Sequence, residues 1–176
     1  FEVEYGGMVT VHSVTNTQSI LHIVASNDPS RGLPAWEVGG FTTTNAASSI
    51  PNLRMVETLT GSTPGPHDGI AIRVPTSTVS MLAYTVKLRT PATKKAIIDA
   101  FKQKAAEDPR MMAVQKHVTH LTVKGNEVSS IIDEDKIRVF DADGVEITDL
   151  GSPALASYVY VMPWYDNEWG YVTRVN

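Results

Sequence analysis

The sequence predicts an α+β fold, a largely antiparallel sheet with helices on one face, on two observations. Runs of β-branched and aromatic residues outnumber the two or three stretches of helical spacing, and few of those runs alternate strictly with helices. A chain of 176 residues, 42% hydrophobic and 19% charged, supports one domain with a real core spanning residues 1–176.

Phe1 to Val14 reads as two short strands or one strand with a bulge, because Gly6-Gly7 interrupts its β-branched and aromatic residues. From Thr15 to Thr44 neither period persists. A stretch this long without regular structure is uncommon in a compact domain unless it lines a site or an interface. Asn45 to Thr60 has helical spacing in Ile50, Leu53, Val56 and Leu59, and the Gly61-to-Pro66 run ends it. Gly69–Val74 and Thr78–Leu88 read as strands, the second alternating as a half-buried strand does.

Thr93 caps the clearest helix, Lys94 to Glu107, with Ile97, Ile98, Phe101 and Ala105 on one stripe and Pro109 past its end. Val118–Val123, Glu127–Ile132 and Ile137–Asp141 follow as expected strands, the last turning at Asp143-Gly144. Ala156–Trp164 is the final strand. It leads into Trp164-Tyr165-Asp166-Asn167-Glu168-Trp169-Gly170-Tyr171, which packs four aromatics among adjacent hydrogen-bonding side chains.

Composition excludes several classes of function. A formal charge of −4 argues against a general nucleic-acid or anionic-membrane binder. No apolar run approaches the roughly 20 residues that cross a bilayer, so no membrane insertion is expected and the reading is a cytoplasmic protein, an organelle being the alternative. The absence of cysteine leaves no disulfide, thiolate metal site or thiol nucleophile within these residues. Because the chain enters sheet-like sequence at once from Phe1, it is expected to be an internal or processed fragment.

Two residues carry the chemistry. His12 stands among hydroxyls and amides at a strand end, where an imidazole with an ordinary pKa near 6.5 serves as general base or thiolate partner; alone, it reads first as a structural histidine. Arg73 places a guanidinium inside the apolar strand Ile70-Ala71-Ile72-Arg73-Val74. It needs an anion or several carbonyl partners there; a bound phosphate would suit its fork, and an internal carboxylate is the alternative. His117 and His120, on an expected strand, would point to opposite faces, which disfavours a metal site. Asp133-Glu134-Asp135 reads as a solvated loop. Neither G-x-G-x-x-G nor a P-loop occurs, so no dinucleotide-binding half is present.

Three segments, in order, resemble the phosphorylating glyceraldehyde-3-phosphate dehydrogenases: Met8 to Gln18, Asp68 to Thr76 with Val79-Ser80, and Trp164 to Val175. The resemblance implies that family's C-terminal catalytic domain, with a mixed sheet and a long loop falling at Thr15–Thr44. It also implies a tetramer, a preceding domain for NAD or NADP, a cysteine upstream of Phe1, and a final helix beyond Asn176. His12 would activate that cysteine and assist hydride transfer. Thr15 and Arg73 would hold the phosphate of a sugar-phosphate substrate, and Arg31, Thr44 and Asn45 the attacking inorganic phosphate. Asn167 would hydrogen-bond the nicotinamide carboxamide, with Tyr171 packed beside it. The chain departs from the pattern at Asn45, where the family has glycine, and at Ser48, where it has lysine. Those departures suit a retired domain serving as a structural subunit of a larger assembly, or a related dehydrogenase that uses water in place of phosphate.

Overall fold

A computed structural model describes residues 1–13, 42–44, 67–74, 76 and 78–175. The expected helix at Asn45–Thr60 and most of the stretch from Thr15 to Thr44 lie outside the described residues. Within them the fold is α+β, built on one mixed sheet of nine strands: β1 Val3–Ser13, β2 Thr42–Thr44, β3 His67–Val74, β4 Ser80–Thr93, β5 Met112–Gln115, β6 Ser130–Asp133, β7 Arg138–Phe140, β8 Leu155–Val161 and β9 Pro163–Tyr165. The order is β2-β3-β1-β4-β9-β6-β5, with β8 joining β4 to β7. Among the described strands only the β1–β3 and β5–β6 pairs are parallel.

β1 is one strand; its pairing to β4 runs unbroken through Gly6 and Gly7, where the sequence predicts an interruption, and shifts instead between Val3 and Tyr5. It runs beside β3 so closely that a Cβ on Gly69 would stand 2.5 Å from Met8 Cγ and 2.7 Å from the Met8 carbonyl oxygen. Glycine is what allows this approach. The resulting register sets His12 against Arg73.

Helix α1, Lys94–Glu107, has the bounds that its spacing predicts. The Thr93 hydroxyl accepts from the Ala96 N–H at 3.2 Å, and the Asp108 N–H closes onto the Lys104 carbonyl before Pro109. Its inner face buries Ile97 and Ile98 in a cluster with Val86, Leu88 and Val159, with Phe101 packed against it. Each buried aliphatic contributes about 1.5–3 kcal/mol.

Three expectations need correction. Val118–Val123 is not a strand: α2, His120–Val123, is a single helical turn boxed by Thr119 and Thr122, each side chain bonding the other's backbone N–H. His117 and His120 therefore do not lie on a strand. His117, at φ 56°, faces solvent and pairs with Asp135 at 3.2 Å. Asp133 is not solvated but buried, and its carboxylate accepts from the Val118 and Asp135 N–H groups. The expected strand Ala156–Trp164 is two, β8 and β9, because the chain changes neighbours near Met162: β8 lies between β4 and β7, and β9 between β4 and β6.

Candidate functional site

In the parallel β1–β3 pair, His12 and Arg73 are direct partners, so their side chains leave the same face of the sheet. The guanidinium Nη1 donates to the Ser13 carbonyl at 2.9 Å. Its Nε is buried with no hydrogen-bond partner, as is Thr10 Oγ1 two residues before His12 on the same face. Among the described residues no carboxylate forms an ion pair with Arg73. An unsatisfied buried polar atom costs about 1–3 kcal/mol, and two on adjacent strands mark a place where polar ligand atoms would be stabilised.

Burial, and then the neighbouring Arg73 charge, push His12 below its ordinary pKa. The imidazole is therefore neutral at pH 7 and able to accept a proton. An anion bound at Arg73 would weaken the second of those effects and raise its basicity.

Sequence reasoning left two neighbours without a role. Ser80 Oγ lies 2.7 Å from His12 Nδ1 and is 1% exposed. It pairs across β4 and β9 with Tyr165, whose ring stands edge-on to the imidazole with centroids 6.2 Å apart. Burial raises the Tyr165 phenol, while the nearby Ser80 hydroxyl and the charge of Arg73 partly offset that rise. The preceding residue, Val79, is buried and sits at φ 64°. A β-branched residue rarely adopts that region, at a cost of about 1–3 kcal/mol. Val79 meets this cost by packing with Val118, Val123 and Ile131.

The aromatic run after β9 is organised by Asp166. Its buried carboxylate accepts from the N–H groups of Gly125, Glu168 and Trp169 at 2.9–3.0 Å. Burial opposes ionisation, but those three donors hold the carboxyl below its usual range. The group thus stabilises the fold above about pH 4, and the contribution is lost as pH falls through the lowered value. Asp166→Ala leaves three N–H groups unpaired and is expected to cost about 2–4 kcal/mol in urea unfolding at pH 7. A loss below 1 kcal/mol would refute this role.

The turn fixed by Asp166 opens α3, Trp169–Val175, and leaves Asn167 and Tyr171 exposed, Tyr171 at 71%. A primary amide and a phenol stand in the open two and six residues past the ring that lies edge-on to His12. The structure thus brings His12 and Arg73 together and presents Asn167 and Tyr171 outward. Thr44 lies on β2, which pairs with β3 from Thr42↔Arg73 to Thr44↔Ala71, and its side chain is outside the described set. Thr15, Arg31 and Asn45 lie outside the described residues. Ser80 and Tyr165 stand within the quoted motifs, but their meeting with His12 depends on sheet pairing across 68 residues or more, for which the sequence carries no local signal.

A family model described as glyceraldehyde 3-phosphate dehydrogenase, C-terminal domain, matches residues 1–167. Similar proteins include a glyceraldehyde-3-phosphate dehydrogenase of Chlamydia muridarum (strain MoPn / Nigg), 32% identical over 180 residues, and one of Borreliella burgdorferi (strain ATCC 35210 / DSM 4680 / CIP 102532 / B31), 31% identical over 179. Each match covers 99% of this chain and 47% of the relative. Glyceraldehyde-3-phosphate dehydrogenase 2, cytosolic, of Hordeum vulgare is 32% identical over 179 residues, 99% of this chain and 52% of that protein. The chain spans about half the length of these relatives.

Proposed function

Because this chain belongs to the glyceraldehyde 3-phosphate dehydrogenase C-terminal domain family, we propose that it is the catalytic and substrate-holding part of an enzyme that oxidises a sugar-phosphate aldehyde and phosphorylates the product. The observation that carries this reading is Arg73: a guanidinium beside a neutral histidine, with a buried unpaired Nε and no carboxylate partner among the described residues. Such a cation suits the phosphate of a small substrate, with Thr15 as a second donor. Inorganic phosphate would be held at Arg31, Thr44 and Asn45.

His12 would take the proton of a thiol supplied from outside these residues, making it a nucleophile toward the substrate carbonyl. NAD or NADP, carried by a domain outside these residues, would accept the hydride. This chain would meet its nicotinamide through Asn167, whose exposed amide matches a carboxamide, with Tyr171 alongside. We place the whole enzyme in the cytoplasm as a homo-oligomer. The Asn45 and Ser48 departures favour a second reading, a retired domain in a structural assembly.

The test is NAD or NADP reduction by the complete polypeptide with glyceraldehyde 3-phosphate and inorganic phosphate, before and after thiol alkylation. Turnover abolished by alkylation supports the enzyme. No turnover in a folded, cofactor-bound protein with an intact thiol would sink it and leave the structural reading.

A further inference from the structure

We propose that Ser80 is a positioning residue that fixes the tautomer of His12, holding the proton on Nδ1 so that Nε2 carries the lone pair that accepts from the reacting thiol. This rests on the dehydrogenase reading of His12 and extends it to a residue with no charge and no contact with substrate.

The geometry is one short side-chain contact. Ser80 Oγ is 2.7 Å from His12 Nδ1, and one of the two must donate. Nδ1 is engaged by Ser80, which leaves Nε2 as the ring nitrogen to face the reacting thiol. A base acting through Nε2 carries its proton on Nδ1, so Nδ1–H is the donor and Ser80 Oγ the acceptor. Nε2 is then unprotonated, the form a general base requires. The reverse orientation would put the proton on Nε2 and make the ring useless as a base toward a thiol.

The backbone supports a specific role for this hydroxyl. Ser80 is 1% exposed, so no bulk water replaces it at Nδ1. Val79 accepts a φ of 64° immediately before it. That turn sends the Val79 side chain into its apolar cluster and leaves the next residue, at the first position of β4, aimed at His12.

The experiment uses the complete polypeptide with histidine ring nitrogens labelled with 15N, and assigns His12 by its loss in H12N. Above the His12 pKa the wild-type ring is expected to show a protonated Nδ1 and a pyridine-like Nε2, and S80A is expected to shift the population toward protonated Nε2. Wild-type Nε2 found protonated, or nitrogen shifts unchanged in S80A, overturns the proposal. In kinetics, S80A is expected to lower kcat about tenfold with KM for the aldehyde phosphate within about twofold, and to move the acid limb of the pH profile down, since the imidazolium loses an acceptor. S80T, which keeps the hydroxyl, is expected to restore most of the rate. An S80A enzyme with wild-type kcat and acid limb, or an S80T enzyme no better than S80A, contradicts the proposal. The nitrogen shifts need no turnover, so an inactive wild-type protein would fail the dehydrogenase reading while leaving this inference separately decided.

Discussion

Arg73→Leu in the complete polypeptide is expected to lower kcat/KM for glyceraldehyde 3-phosphate by about a hundredfold, or roughly 2.7 kcal/mol of lost transition-state stabilisation. The magnitude follows from losing a charge-assisted contact in a half-buried setting where water cannot substitute for the guanidinium. Unphosphorylated glyceraldehyde has no anion for Arg73 to grip, so its kcat/KM is expected to change by about twofold or less. Arg73→Lys keeps the charge but not the planar fork, and is expected to recover only part of the loss. Equal losses on both aldehydes would mean that Arg73 is structural, acting through its bond to the Ser13 carbonyl rather than on the substrate.

His12→Asn is expected to lower kcat by about a thousandfold while KM for the aldehyde phosphate changes little, because the phosphate grip lies on Arg73 and not on the imidazole. The same variant should slow alkylation of the reactive thiol by iodoacetamide near neutral pH, with the thiol titrating at a higher value once its proton acceptor is gone. The site already contains the reason for a neutral starting imidazole: burial and the Arg73 charge both disfavour the protonated ring. A variant with near-normal kcat and alkylation rate would remove His12 from the chemistry.

The local features were the legible ones. Lys94–Glu107 could be read to its bounds because its signals are contiguous: a threonine cap, one apolar stripe and a proline just past the end. Val118–Val123 reads as a strand because β-branched residues favour strands, yet it ends in a helical turn. What decides it is a two-threonine capping box together with the Asp133 carboxylate, which arrives from a different strand to bind the Val118 N–H. Asp133 likewise looks like one acid among three, and only its fold position makes it a buried acceptor. The division of β8 from β9 reflects which strands lie alongside, a property of the whole sheet.

For the site, the pattern in the sequence shows an arginine needing an anion or several carbonyls, but not which. The parallel register that sets it against His12 joins residues 61 apart, and no periodicity reports such a pairing. Motif resemblance supplied that connection. It gave no role to Ser80, whose placement depends on a left-handed valine that no propensity anticipates.

The most direct measurement is the pKa of His12, followed by NMR from its ring signals in the complete polypeptide, with and without a saturating sulfate monoester that does not itself titrate near neutrality. A shared pocket requires the pKa to rise on binding, toward the value found in Arg73→Leu without ligand, because the anion offsets the guanidinium that holds it down. A saturated complex in which His12 titrates as it does in the free protein would contradict the claim that imidazole and guanidinium face one anion site.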